Sequence, residues 1–193
     1  MTKLNKVRVS SLTELDDFTK SLVPILKPGT ICLLYAEMGA GKTTVGKKLS
    51  KRLGYFFIDT DREIEKEQGC TISEIFKYGG EICFRDLETN MLQQLQSKQN
   101  LVIATGGGMV MRQENRNLMQ NLGTRVYLKV GLEELIRRLK KDKKRPLLQE
   151  PRPIQRITEM LEQRKSIYEE AECIVDTTDL SPQQMVSQII RKL

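Results

Sequence analysis

Five short apolar runs, each followed by a stretch with helical periodicity, constrain the fold of this chain more than any other feature. The runs are ICLLY at 31–35, YFFI at 55–58, LVIA at 101–104, RVYLKV at 125–130 and CIV at 173–175. Alternating strands and helices predict a parallel sheet with helices on both faces. Because such sheets bind ligands beyond the carboxyl ends of their strands, we expect the functional residues to follow the strands.

The length and composition are those of a globular protein. We predict a single domain over residues 1–193, since 193 residues is the size of one domain. No stretch approaches the roughly 18 apolar residues of a membrane span. The acidic residues Glu14, Asp16 and Asp17 are atypical of a signal or transit peptide. These features predict a cytoplasmic protein without a membrane partner.

The residue types that are absent exclude several kinds of chemistry. The chain has no histidine, which excludes imidazole general bases, histidine metal ligands and Ser-His-Asp triads. Its cysteines form no CxxC pair, so neither a zinc site nor a redox motif is indicated. Catalysis must therefore depend on Asp, Glu, Lys, Arg or backbone groups.

Positive charge is concentrated in one segment. Residues 137–145 read RRLKKDKKR, whose seven cations and one anion give +6 of the net charge of +7. A general nucleic-acid binder spreads basic residues over a face and interleaves aromatic ones, so no nucleic-acid partner is predicted. Such a cluster is often the solvated surface of a helix, but here prolines follow at 146, 151 and 153. We predict a mobile lid over about 140–153 that covers an anion.

A glycine-rich segment follows the first apolar run. Residues 36–43 read AEMGAGKT, which fits the phosphate-binding P-loop except that Ala36 replaces its first glycine. In a P-loop, backbone N–H groups bind phosphates, Lys42 reaches the transferred phosphoryl group and the Thr43 hydroxyl holds Mg²⁺. A first glycine often adopts a conformation that costs other residues about 1 kcal/mol. The alanine at position 36 is therefore consistent with weaker nucleotide binding. It does not imply that nucleotide binding is lost.

Two carboxylates follow the second apolar run. Asp59 and Asp61 stand two positions apart, on the same side of an extended chain. One carboxylate can support Mg²⁺ while the other orients a substrate hydroxyl and accepts its proton. The alternative is that Asp61 merely caps the helical pattern that follows.

Glycines and an arginine complete the set of candidate residues. TGGG at 105–108 follows the third run and lets a ligand approach bare backbone, although a flexible turn would have the same sequence. Arg85 ends GEICFR at 80–85 and can bind a carboxylate through two hydrogen bonds. Taken alone, Arg85 would be an ordinary salt-bridge residue.

Together these motifs resemble the shikimate kinase family. Besides the P-loop, the chain has DTD at 59–61, GEICFR at 80–85, TGGG at 105–108, RPLL at 145–148 and R-x-x-x-Y at 164–168, in the family's order. The resemblance covers residues 31–193. Gluconate and nucleoside monophosphate kinases share the P-loop and lid but not this acid-recognition set. The resemblance implies a P-loop kinase fold of the α/β class, with a five-stranded parallel sheet in the order 2-3-1-4-5, a substrate-binding helical insert at about 60–97 and a mobile lid.

The resemblance also implies roles for individual residues and two substrates, shikimate and ATP. Asp61 would bind shikimate hydroxyls and act as the base, while Arg85 and Arg164 would bind its carboxylate. The remaining substrate contacts would come from Gly106, Gly107 and Gly108. ATP would contact the P-loop and lid through Gly39, Ala40, Gly41, Lys42, Thr43, Thr44, Arg138 and Arg145.

Some of these residues, and Asp59, have more particular implied roles. Arg138 would stack on adenine, and Arg145 would close onto the phosphates and act in catalysis with Lys42. Thr43 and Asp59 would hold Mg²⁺. The family resemblance also implies a monomer, and a place in the chorismate pathway of aromatic amino acid biosynthesis, where shikimate becomes shikimate 3-phosphate.

The first 30 residues do not belong to this resemblance. Residues about 8–44 resemble the front of the small bacterial ATPase that assists threonylcarbamoyladenosine formation on tRNA, whose later motifs are absent. We interpret 1–30 as an N-terminal extension that adds a helix and an edge strand at 7–9. Two alternatives to the kinase stay open: a P-loop ATPase acting as a switch in an assembly, and a degenerate kinase, suggested by Ala36 and the negative charge of Glu37.

Overall fold

A five-stranded parallel sheet forms the centre of the computed structural model, which describes residues 30–140 and 153–193. Its strands are β1 (Ile31–Tyr35), β2 (Phe56–Asp59), β3 (Leu101–Ala104), β4 (Thr124–Lys129) and β5 (Cys173–Asp176). The strands lie in the order β2-β3-β1-β4-β5, and every neighbouring pair is parallel. The predicted α/β class and strand order are confirmed.

Helices pack on both faces of this sheet. They are α1 (Lys42–Leu53), α2 (Thr60–Gln68), α3 (Ile72–Leu95), α4 (Gln113–Leu122), α5 (Leu132–Lys140), α6 (Pro153–Tyr168) and α7 (Pro182–Lys192). Side chains of β1 alternate between two hydrophobic clusters, as the pleat of a strand requires. Leu34 packs with α1, α5 and α7, while Leu33 packs with α3 and α4. β1 is therefore buried on both sides, which fixes the position of the P-loop that follows it.

The long helix α3 changes direction at Gly80. This residue has φ 75° and ψ −179°, a conformation that glycine adopts far more readily than residues with a Cβ. The N-terminal part of α3 begins with a capping box between Thr71 and Glu74. The part after Gly80 carries Arg85, so this break orients the segment that was expected to bind substrate.

The last helix has a clear start and one buried face. Ser181 caps α7, Pro182 occupies its first turn, and the stripe Met185, Val186, Ile189 and Ile190 is buried. None of the helices in the two described ranges is long and apolar enough to cross a membrane.

Some predictions fall on residues outside the described ranges. They include the N-terminal extension up to residue 29, with its expected helix and edge strand. They also include most of the lid at 140–153, with Arg145. For these segments, and for the single-domain organisation over 1–193, the expectations from sequence stay predictions.

Candidate functional site

A cavity of about 560 Å³ lies at the carboxyl ends of β1, β2 and β3, which is where a parallel sheet is expected to bind its ligand. Its size is within the usual range for small-molecule sites. Most residues predicted from sequence line it, namely Gly39, Gly41, Lys42, Thr43, Thr44, Asp59, Asp61, Arg85, Gly106, Gly107, Gly108 and Arg164. The cavity also contains two carboxylates that were not predicted as site residues, Glu37 and Glu88.

The P-loop connects β1 to α1 and adopts left-handed backbone at two glycines. Gly39 has φ 88° and Gly41 has φ 94°. Ala36 is fully buried, and positive φ outside glycine occurs, within residues 30–140 and 153–193, at Asn100 and Asp179 only. Ala36 therefore has no left-handed conformation, and the strain expected from its Cβ is not found. At this position alanine is compatible with the loop.

The last two side chains of the P-loop are held by the loop's own carbonyls and by β2. Lys42 Nζ donates to Ala36 O at 2.9 Å and to Glu37 O at 3.3 Å. The Thr43 hydroxyl donates to Asp59 Oδ2 at 2.8 Å. The ammonium of Lys42 thus lies across the loop, and Thr43 and Asp59 form an oxygen pair at its edge.

Arg138 on α5 joins the P-loop to the segment after β5. Its guanidinium donates to Ala40 O at 3.3 Å and to Thr177 O at 3.1 Å, and it pairs with Glu134 at 2.6 Å. Ala40 is buried and takes part through its carbonyl. Arg138 is therefore close to the loop, although it does not line the cavity.

The two aspartates line the cavity, but the backbone that carries them differs from the prediction. Asp59 ends β2, but Asp61 lies in the first turn of α2, so the expectation of an extended chain carrying both was wrong. The helix-cap alternative for Asp61 was also wrong, because α2 begins at Thr60 and its N-cap position is Asp59. A helical turn, rather than strand alternation, directs Asp61 into the same cavity as Asp59.

The Asp61 carboxylate is partly buried, in an environment that favours its neutral form. Its Oδ1 atom accepts no hydrogen bond from any residue of the described ranges. Burial raises the pKa of Asp61, the charge of Lys42 opposes this, and Asp59 and Glu65 add to it. A carboxylate with a raised pKa is a better proton acceptor than an exposed one.

Arg85 is held by two carboxylates on its own helix. Its Nη1 lies 2.6 Å from Glu88 Oε2, and its Nη2 lies 3.0 Å from Glu81 Oε1. Glu88 is fully buried. Burial raises the pKa of Glu88 to about 7, although the hydrogen bond and charge of Arg85 oppose this shift. The spacing of Arg85 and Glu88, three residues apart on a helix, is the signal that would have identified Glu88 from sequence.

The three glycines after β3 are required by close contacts. Each has a φ outside the left-handed region. A Cβ on Gly106 would lie 2.7 Å from Glu88 Oε1 and 2.8 Å from Asp61 Oδ1. On Gly107 it would lie 3.1 Å from Ala36 O, and on Gly108 it would overlap the guanidinium of Arg85. Side chains here would displace the charged groups of the cavity.

Arg164 on α6 completes the charged wall and contacts the P-loop. Its Nη1 lies 3.2 Å from Glu37 Oε2. Tyr168, one turn later, donates its hydroxyl to Gly107 O at 2.8 Å. Burial raises the pKa of Glu37, while Arg164 and Tyr168 lower it. The R-x-x-x-Y pattern therefore joins α6 to two of the loops that form the cavity.

Comparison with known proteins agrees with this geometry. The family model of shikimate kinase matches residues 38–193. A shikimate kinase from Persephonella marina is 44% identical over 160 residues, which cover 83% of this chain and 96% of that protein. One from Thermodesulfovibrio yellowstonii is 42% identical, over 83% of this chain and 92% of its own length.

A solved structure gives the same result. The shikimate kinase from Acinetobacter baumannii in complex with shikimate has a TM-score of 0.81 and 38% identity, and the match covers 88% of this chain and 95% of that one. By both sequence and structure, this chain belongs to the shikimate kinase family.

Proposed function

We propose that this chain transfers the γ-phosphoryl group of ATP to the 3-hydroxyl of shikimate, giving ADP and shikimate 3-phosphate for the chorismate pathway. One observation carries the proposal. A single cavity brings together a P-loop lysine, the partly buried carboxylate of Asp61 and two arginines, Arg85 and Arg164. This combination suits a phosphate donor next to a small hydroxylated carboxylic acid.

ATP binding is supported by the backbone of the P-loop. Its N–H groups and the N-terminus of α1 provide partial positive charge for the phosphates. Lys42 would exchange its carbonyl contacts at Ala36 and Glu37 for phosphate oxygens. Arg138, which bridges the carbonyls of Ala40 and Thr177, would contact the adenine. Gly39, Gly41 and Thr44 line the same part of the cavity.

A magnesium ion fits the residues at the edge of the loop. Mg²⁺ prefers hard oxygen ligands and usually binds through one or two protein groups together with substrate phosphates. The Thr43 hydroxyl and the Asp59 carboxylate, 2.8 Å apart, are such a donor set. When bound, the ion would neutralise phosphate charge that develops during transfer.

The acceptor would be held at the opposite end of the cavity. Arg85 and Arg164 would bind its carboxylate through charge-assisted hydrogen bonds. Gly106, Gly107 and Gly108 leave space for its ring against bare backbone, since added side chains would meet Glu88, Asp61 and Arg85 there. Asp61 would accept hydrogen bonds from its hydroxyls.

Transfer then needs one proton acceptor and one displacement. The oxygen of the 3-hydroxyl attacks the γ-phosphorus, its proton moves to Asp61, and the bond from the γ-phosphorus to the bridging oxygen of ADP breaks. The raised pKa of Asp61 makes it a stronger base. Lys42 stabilises the charge on the transferred group. Arg145 would approach the phosphates when the lid closes, which excludes water and favours shikimate over hydrolysis.

The proposal is tested by measuring ADP release with Mg-ATP, with and without shikimate, and by identifying the product. Shikimate-dependent release with formation of shikimate 3-phosphate supports it. Hydrolysis of ATP that is independent of shikimate would favour a switch ATPase, and no turnover would favour a degenerate kinase. The absence of partners other than these substrates, the monomeric state and the cytoplasmic location stay predictions, of which the monomer is tested by light scattering.

A further inference from the structure

Glu37 is a carboxylate of the P-loop that faces the acceptor end of the cavity. Its side chain is 6% exposed, and that of Arg164 is 17% exposed. The two are joined by one contact, with 3.2 Å between Glu37 Oε2 and Arg164 Nη1. The other oxygen of Glu37, Oε1, is buried and accepts no hydrogen bond from the described part of the chain. Glu37 is thus an incompletely satisfied anion beside an arginine.

This position conflicts with the binding of a second carboxylate. The proposed acceptor brings its own negative charge to Arg164, and water is largely excluded from both side chains. Like charges in such a site repel strongly because the effective dielectric constant is low. When the acceptor binds, Arg164 must therefore either contact both carboxylates or break its contact with Glu37.

We propose that Glu37 is a positioning residue that sets the affinity for the acceptor by occupying Arg164 in the empty site and opposing a second carboxylate there. The inference rests on the proposed function, because it takes the acceptor to be a carboxylic acid. Glu37 acts through Arg164 and takes no part in phosphoryl transfer. The contact between Glu37 and Arg164 holds the Arg164 side chain in place and lowers the affinity of the site for the acid.

The test compares wild type with Glu37→Gln, which keeps the shape of the side chain and removes its charge. We expect the KM and the Kd for shikimate to fall at least about tenfold at saturating ATP, because the charge that is removed lies against the same guanidinium that binds the acid. Glu37→Ala should change both constants in the same direction. Thermal unfolding would establish that both variants are folded.

Shikimate methyl ester separates this effect from a general change of the cavity. Because the ester has no negative charge, its Kd should differ less than about twofold between wild type and Glu37→Gln. Glu162→Gln is the matched control, since Glu162 is exposed on the same helix as Arg164. This control should bind both compounds as wild type does. An equal gain for the acid and the ester would overturn the inference, and so would an unchanged or higher KM for shikimate in Glu37→Gln.

The pH dependence gives a second readout. The groups that face Glu37 are Arg164 and Tyr168 on α6, Lys42 on α1 and Tyr127 on β4. As the pH rises and Glu37 loses its proton, the KM for shikimate should rise in wild type and change less in Glu37→Gln. Identical profiles would contradict the inference.

The outcomes also distinguish this inference from the function on which it rests. If wild type does not phosphorylate shikimate, the proposed function is wrong and the inference falls with it. If wild type forms shikimate 3-phosphate and Glu37→Gln does not bind shikimate more tightly, only the role of Glu37 is wrong.

Discussion

The hydroxyl of Thr43 donates a hydrogen bond to the carboxylate of Asp59, with 2.8 Å between Oγ1 and Oδ2. Thr43 lies in the first turn of α1, and Asp59 is the last residue of β2. The contact therefore joins the helix after the P-loop to a strand at the edge of the sheet. It places two hard oxygen donors next to the phosphate-binding loop.

Removing this hydroxyl should weaken the use of Mg²⁺. We expect Thr43→Val to raise the Mg²⁺ concentration for half-maximal activity by about 10- to 100-fold, the range seen when groups around a metal are removed. Thr43→Ser keeps the hydroxyl and should stay close to wild type. Titrating Mg²⁺ at a fixed, saturating ATP concentration measures the difference. Equal requirements in the valine and serine variants would contradict the assignment of Thr43.

Replacing Asp61 by asparagine should affect the rate more than the binding. Asparagine retains hydrogen bonds to the acceptor but cannot take a proton, so kcat should fall by about 10²- to 10⁴-fold. The Kd for shikimate should change little. Glu67→Gln, an exposed change on the same helix, is the control. Rapid-quench kinetics and calorimetry measure the two quantities, and a wild-type kcat in the asparagine variant would exclude Asp61 as the base.

Replacing Arg164 by alanine should mainly weaken acceptor binding. The loss of a charge-assisted hydrogen bond predicts a KM for shikimate about 10- to 100-fold higher, with the KM for ATP nearly unchanged. Arg164→Lys should recover little, because an ammonium cannot bind a carboxylate through two parallel bonds. Lys165→Ala, which removes an exposed cation from the next position, is the control. A larger effect on ATP than on shikimate would show that Arg164 serves the nucleotide.

Sequence patterns predict the sheet because burial of its strands, complete for β1 and β3, is recorded in the chain as short apolar runs. Each strand is a short apolar run, and the start of α7 is marked by its cap Ser181 and by Pro182. The P-loop and the glycines after β3 were also found, because both depend on local backbone. The strand order was predicted from the family resemblance, because apolar runs do not indicate which strands are neighbours.

The relationships between charged groups were harder to predict. Asp61 was expected on an extended chain or as a helix cap, but the cap is Asp59, two residues earlier, and the turn geometry decides where the Asp61 carboxylate lies. The pairing of Glu37 with Arg164 joins residues 127 positions apart. No local pattern encodes such a contact, because it depends on how α6 packs against the P-loop.

The raised pKa of Glu88 predicts how the stability of the fold should depend on pH. Its pKa is about 7 in the folded chain because of burial, against an ordinary value of 4.5. A carboxyl group with a raised pKa stabilises the fold fully below its unfolded value, and this contribution is lost as the pH rises through the folded value. From pH 4.5 to about 7, the folded chain retains a proton that the unfolded chain has released. Over this window, Glu88 should lower the free energy of unfolding by about 3 kcal/mol.

Glu88→Gln should remove this contribution, because glutamine keeps the neutral shape and can still accept a hydrogen bond from Arg85. Urea unfolding at pH 5 and pH 8 would measure the difference for each protein. Wild type should lose about 3 kcal/mol more than the variant between these two values. Glu114→Gln, an exposed change on α4, should keep the wild-type dependence. If wild type and Glu88→Gln lose the same stability, Glu88 is ionised in the folded protein, and its pair with Arg85 outweighs the effect of burial.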